Sequence, residues 1–189
     1  MSNDPTEHRR GLMLTVVSPS GVGKTSLTRR LVADHPDLHL SISATTREAR
    51  PGEHEGRDYH FVDKAEFDRM VAADEFLEWA EVYGNRYGSP KKPIMAALEH
   101  GQSILFDIDF QGAMSIADYA PTDTVKVYIL PPSLAEMSRR LHARSQDSEE
   151  VITKRLARAK SEVSLWAKFD YVLLNDDFDR AYAQLAHIF

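Results

Sequence analysis

Leu12-Met13-Leu14-Thr15-Val16-Val17-Ser18-Pro19-Ser20-Gly21-Val22-Gly23-Lys24-Thr25 is the stretch whose reading decides the fold. Its first six residues are apolar or β-branched, the composition of a buried strand. Ser18 to Gly23 is a turn by composition, dense in Ser, Pro and Gly. Lys24 to Ala33 then places Leu27, Leu31 and Val32 at helical spacing. Strand, glycine-rich loop and helix in that order form the setting of G-x-x-x-x-G-K-[ST], a loop whose backbone N–H groups curl around phosphates. The helix N-terminus adds partial positive charge behind them. Ser18 stands where the pattern has its first glycine, which requires a negative φ at that position. Ser20, Gly21, Val22, Gly23, Lys24, Thr25 and Ser26 are the predicted cradle. Lys24 is the group to neutralise β/γ charge, and the Thr25 hydroxyl the group to hold Mg²⁺.

Outward from this loop, strands and helices alternate. Ser103 to Asp109 reads as a second buried strand ending in two acids, Thr124 to Leu130 as a third, and Tyr171 to Leu174 as a last. Helices are expected over Lys64–Ala73, Met95–Gly101, Ala135–Ala143, Glu149–Ala167 and after Asp177. This order predicts an α/β fold, a parallel sheet flanked by helices. The segment from about 41 to 96 is too rich in turns for one crossover helix, so it is expected to form an inserted lobe.

The whole chain of 189 residues suits a single domain over 1–189. It contains no cysteine, which excludes disulfides and thiolate metal sites. The opening stretch is polar, and no apolar run approaches the roughly 20 residues of a spanning helix, so no membrane association and a cytoplasmic address are expected. A formal net charge of −6 argues against a nucleic acid polymer as partner. Basic residues do cluster, at Arg139, Arg140 and Arg144 and at Lys154, Arg155, Arg158 and Lys160. Such clusters suit either a solvated helix face or a small anionic ligand, and charge alone does not choose. The eight histidines show no metal spacing, and no zinc site is expected.

Further segments carry a resemblance. Ser41-Ile42-Ser43-Ala44-Thr45-Thr46-Arg47, Arg50-Pro51-Gly52-Glu53 and Gly56-Arg57-Asp58-Tyr59-His60-Phe61 follow the loop in order. Glu75-Phe76-Leu77-Glu78-Trp79, Tyr87-Gly88-Ser89, Asp107-Ile108-Asp109-Phe110-Gln111-Gly112, Asp147-Ser148-Glu149-Glu150 and Asn175-Asp176-Asp177 complete the series. Each piece is weak alone. In this order and spacing, over nearly the whole chain, they resemble the guanylate kinases.

The resemblance implies a P-loop NTPase-type fold with a GMP-binding lobe at about 41–96, a helical lid at about 135–155 and a core of about 10–40, 97–134 and 156–189. It implies transfer of the γ-phosphoryl group of ATP to GMP, and to dGMP, with Mg²⁺. Arg47, Arg50 and Tyr59 match ligands of the GMP phosphate, consistent with guanidinium forks that bind phosphate oxygens in pairs. Glu78 matches the residue that reads guanine. Guanine offers N1–H and an N2 amino group side by side, which a carboxylate accepts, whereas adenine presents a lone pair at N1. From its residues alone, Glu78 would be a partly exposed acid on an amphipathic strand beside Trp79. Ser43, Tyr87, Gly88 and Ser89 match further base and phosphate contacts. Asp107 matches a position near GMP and Mg²⁺-bound water. Asp109 either joins the site, pairs with an arginine or caps the following turn.

Arg140, Arg144 and Arg155 match the lid arginines, grouped with Lys24 and Arg47 as the catalytic cations, and Asn175 an adenine-side contact. The chain departs from the family at Ala143-Arg144-Ser145, where Gly-Arg-Gly is usual, which implies a stiffer lid. Two rival readings remain at this stage. One is a non-catalytic guanylate-kinase-like module that binds phosphopeptides. The other is a P-loop kinase with a different acceptor. The intact loop and the lid arginines argue against the first, and Glu78 with the Ser43-to-Arg50 segment against the second.

Overall fold

A strand that is apolar at nearly every position must be covered on both faces. β1 (Met13–Val17) is buried along its whole length in the computed structural model, which describes residues 10–19, 21–82, 84–143 and 149–189. After β1 come α1 (Lys24–Asp34), β2 (Leu38–Leu40), β3 (Ala44–Thr45), β4 (His60–Phe61), α2 (Lys64–Ala72), β5 (Phe76–Val82) and β6 (Asn85–Pro90). The chain continues through α3 (Lys91–Glu99), β7 (Ser103–Asp107), α4 (Phe110–Tyr119), β8 (Thr124–Leu130), α5 (Leu134–Ala143) and α6 (Glu149–Glu162). A 3₁₀ turn (Val163–Lys168), β9 (Tyr171–Leu174) and α7 (Phe178–Ile188) complete it.

The main sheet has the order β2-β7-β1-β8-β9 and is parallel throughout, as expected from the alternation of strands and helices. Successive side chains of a strand point to opposite faces, and the two cores follow from that. Met13, Ile104 and Phe106 pack with Ile94 and Leu98 of α3 and Ile116 of α4. Leu14, Val16 and Leu105 pack with Leu27 and Leu31 of α1 and Leu185 of α7. The chain crosses to opposite sides of β1 to form β7 and β8, so the carboxyl end of β1 opens a crevice between them. Val16 is in register with Asp107, which brings the glycine-rich loop and the acidic end of β7 to that crevice together.

A second, mixed sheet of order β4-β3-β6-β5 stands beside the first. α2 is N-capped by Asp63, which accepts from the Glu66 N–H at 2.7 Å, and its buried Phe67 stacks on Phe76 at 4.6 Å. The β5–β6 register shifts between Phe76 and Glu78, a bulge that decides which way Glu78 faces. Without the extra residue, Glu78 would share a face with Phe76 against Phe67. With it, Trp79 meets Phe67 instead, and Glu78, Ala80 and Val82 turn to the opposite side, toward the crevice.

Several expectations are corrected by the structure. α3 begins at Lys91 rather than Met95, with Pro93 in its first turn, where an N–H has no intrahelical acceptor to lose. Gly101 (φ 76°) ends it as expected. β7 stops at Asp107, and Asp109 caps α4, a helix the sequence reading left unassigned. The helix expected to run to Ala167 gives way to 3₁₀ geometry at Val163.

Candidate active site

Gly21 (φ 84°) and Gly23 (φ 100°) adopt the left-handed conformation that other residues avoid, and Gly23 is the N-cap of α1. Ser18 keeps a negative φ, since among the described residues only Asp74 combines a side chain with positive φ. The Lys24 ammonium lies 2.5 Å from Asp107 Oδ1 and donates to the Ile108 carbonyl at 3.0 Å. Thr25 Oγ1 is 3.5 Å from Asp107 Oδ2. The Val22 carbonyl, behind the loop, accepts from Asn175 Nδ2 at 2.7 Å and from Arg140 Nη1 at 3.1 Å. Arg140 also donates to the Asn175 carbonyl at 3.2 Å and to Glu136 at 2.8 Å.

In front of the loop lies a cavity of about 370 Å³. Gly21, Val22, Gly23, Lys24 and Thr25 line it together with Ser43, Tyr59, Glu78 and Tyr87. Asp107 and Asp109 line it as well, and Arg155 and Arg158 of α6 add two cations. A second, more polar cavity of about 610 Å³ adjoins it through Thr25, Ser43, Tyr59 and Asp107.

Glu78 is 8% exposed, which corrects the reading of a partly exposed strand acid. The Ser89 hydroxyl donates to its Oε1 at 2.7 Å. Burial is the main force on its carboxyl, and with the nearby negative charge of Asp109 it lifts the pKa to about 7 despite the Ser89 bonds. A Cβ at Gly112, in the first turn of α4, would stand 2.7 Å from Glu78 Oε2, so glycine there makes room for the carboxylate. Tyr59 is held neutral by burial and then by the charge of Asp107, both of which raise its pKa.

Arg47 is braced rather than loose. Its Nη2 donates to both oxygens of Glu53, at 2.9 and 3.0 Å, and its guanidinium lies 5.3 Å from the Tyr59 ring centroid. The same carboxylate accepts from the Arg50 N–H at 2.8 Å. Burial pushes the Glu53 carboxyl up, but the Arg50 N–H and the Arg47 guanidinium together outweigh it and hold the group below the usual carboxylate range.

The structure therefore brings Lys24, Thr25, Ser43, Tyr59, Glu78, Tyr87, Asp107, Asp109 and Arg155 to one cavity. Asp109 also accepts from the Gly112 N–H at 2.9 Å and lies 4.0 Å from Arg158, so capping and pairing both hold. Arg47 and Arg50 lie outside the lining of both cavities, and Ser26 is exposed in the first turn of α1. Ser89 reaches the site through Glu78. Gly88 faces away, where a Cβ would stand 2.7 Å from the Phe76 ring. Arg140 and Asn175 contact the loop's backbone from behind. Ser20, Arg144, Ser145 and the Asp147-Ser148 pair lie outside the described residues, as does the side chain of Ala143.

Sequence reasoning missed Glu53, Gly112 and Arg158 as site residues. Arg158 was legible, because it lies three residues from Arg155 and so on the same helix face. Among the described residues no group of three or more His, Asp or Glu is arranged to hold a metal ion, and no helix is long and apolar enough to cross a membrane.

Comparison with known proteins agrees with this geometry. The family profile described as guanylate kinase matches residues 10–189. A guanylate kinase of Caulobacter vibrioides is 75% identical over 95% of this chain and 84% of its own, and one of Maricaulis maris is 54% identical over 95% and 83%. The crystal structure of a guanylate kinase from Anaplasma phagocytophilum superposes with a TM-score of 0.79 at 36% identity, covering 95% of this chain and 85% of that one. A phosphate-type loop and a buried carboxylate facing one cavity, on a chain this close to proteins of one kind, settle its kinship: it belongs to the guanylate kinase family.

Proposed function

We propose that the chain is an ATP:GMP phosphotransferase in which the loop 18–25 holds the donor and Glu78 selects the acceptor. The observation that carries this reading is the burial of Glu78 in the same cavity that the loop lines. A buried carboxylate held by Ser89 alone is unfavourable as an anion unless a ligand supplies further donors to it. Guanine supplies two on adjacent atoms, while adenine would set a lone pair against it. A site built on such a demand discriminates by about 10⁴–10⁵ in favourable cases.

In the reaction, an oxygen of the GMP phosphate attacks the γ-phosphorus of ATP. The bond from that phosphorus to the β-bridging oxygen breaks, and ADP leaves with the electron pair. The acceptor is already an anion, so no general base is needed. The obstacle is the approach of two anions, which cations at the site offset. Lys24 and Arg155 line the cavity. Arg47 and Arg50, beside Tyr59, are assigned to the acceptor phosphate, with Glu53 fixing the Arg47 fork in place. Ser43 and Tyr87 complete the acceptor side.

Thr25 Oγ1 and the Asp107 carboxylate, neighbouring hard oxygen donors, suit Mg²⁺, which takes few protein ligands beside phosphate and water. When bound, it neutralises phosphate charge. dGMP fits the same reading, which depends on base and phosphate. Residues 41–96 are assigned as the acceptor lobe and 135–155 as the lid, and the cytoplasm is the assigned address.

A coupled assay of ADP release with ATP and GMP tests the proposal. Release that depends on GMP supports it. Silence with every nucleoside monophosphate would favour the phosphopeptide-binding module instead.

A further inference from the structure

Asn175 follows β9 directly, and its N–H donates to the Leu130 carbonyl at the end of β8 at 2.9 Å, so the residue is anchored to the sheet. It is 4% exposed and lines neither cavity. Its side-chain amide is committed to the Val22 carbonyl at 2.7 Å. The carbonyl and N–H of one trans peptide point in opposite directions. A donor that holds the Val22 carbonyl from behind the loop therefore turns the N–H of Gly23 forward. Among the described residues that N–H has no acceptor, while Gly23 itself lines the cavity. The absence of a side chain at Gly23 belongs to the same arrangement, since a Cβ there would stand 2.8 Å from Asn175 Nδ2. Arg140 places a second N–H on the same carbonyl and ties down the Asn175 carbonyl, joining α5 to the contact.

We propose that Asn175 is a positioning residue that aims the Gly23 N–H at the donor's phosphates through the Val22–Gly23 peptide, rather than a contact to the donor's base. The inference rests on the reading of the loop as the donor site, and it predicts a base-independent effect. The loss falls on phosphate affinity, whatever base the phosphate carries. Asn175→Asp is worse than Asn175→Ala, because an ionised carboxylate cannot donate and would face a carbonyl oxygen.

The full chain and its Asn175→Ala, Asn175→Asp and Asn175→Ser variants are titrated calorimetrically with ATP and with inorganic tripolyphosphate, which has no base. The expected result is a Kd increase of about tenfold or more for both ligands in Asn175→Ala, by the same factor. KM for GMP stays unchanged, and Asn175→Ser, which retains a hydroxyl donor, gives a smaller loss. If Asn175→Ala does not fold, the serine variant carries the test by the same comparison. A loss confined to ATP, with tripolyphosphate binding intact, would overturn the proposal and make Asn175 a base contact. Equal affinities in parent and variants would overturn it as well. A parent that binds both ligands yet fails to phosphorylate GMP would contradict the functional reading and leave the positioning result to be judged on binding alone.

Discussion

The Ser89 hydroxyl donates to Glu78 Oε1 at 2.7 Å between residues paired directly across β5 and β6. The bulge next to Phe76 makes Glu78 face the cavity, so a backbone irregularity aims the group assigned to read the acceptor. The hydroxyl holds Oε1, and Oε2 lies beside Gly112. The bonds from Ser89 do not offset the burial, and the carboxyl rises to about 7.

That rise gives acceptor binding a pH dependence. Guanine needs the ionised form, so affinity falls as Glu78 takes up its proton. Guanosine is the proper probe, because the phosphate of GMP itself titrates near pH 6. Its Kd is expected to increase about tenfold between about pH 8 and about pH 6, and Glu78→Gln abolishes the dependence. Stability follows with the opposite sense. A raised folded-state pKa favours the ligand-free fold at low pH, and that contribution is lost as pH rises through about 7. Glu78→Gln should thus raise Tm relative to the parent at about pH 8 and lose that advantage near pH 5.

Gly112 offers a steric test of the same group. The Cβ of Gly112→Ala would stand 2.7 Å from Glu78 Oε2 and 3.2 Å from the Ile108 side chain, so the carboxylate must shift. Acceptor affinity suffers, with a rise in KM for GMP of about tenfold expected and KM for ATP unchanged. Steady-state kinetics with each substrate varied in turn separate the two.

Lys24 divides function from stability. Its pair with Asp107 is partly exposed, with side chains 18% and 27% accessible, so its removal should cost at most about 1 kcal/mol of stability. The role proposed for its charge at the phosphates is worth far more. Lys24→Ala is expected to lower kcat by about 10²–10³-fold. Thermal melts beside single-turnover rates check both halves of the statement.

Leu105 divides them the other way. It is fully buried on the face of β7 that packs with α1, and it lines neither cavity. Leu105→Ala should cost about 2–5 kcal/mol and lower Tm by about 4–20 °C. At temperatures where the variant remains folded, its KM values should match the parent's.

The sequence carried the main sheet clearly wherever local pattern and tertiary role coincide. β1 and β7 are strongly apolar runs because helices cover both faces of the sheet there, β9 is apolar in sequence although only Leu173 is buried, and the loop after β1 announces itself through Gly21 and Gly23. The second sheet was harder, since β3 and β4 have two residues each, too few for a period to show. α4 was hidden by its start: Asp107-Ile108-Asp109 reads as strand end, and Gly112 weakens the helical signal that follows. At the site, residue types marked out the loop that the structure places at the cavity, and the resemblance singled out Glu78. Neither foretold that Glu53 braces Arg47 or that Asn175 grips Val22, because such partners meet only after folding.

Selectivity among acceptors tests the central claim most directly. Initial rates of ADP release with GMP, dGMP, AMP and CMP, measured for the parent and for Glu78→Gln, give kcat/KM ratios. The account predicts that the parent uses GMP and dGMP over AMP by at least about 10³-fold, and that the variant loses most of that ratio while keeping its fold. A Glu78→Gln protein that still preferred GMP to the parental degree would show that another group reads the base.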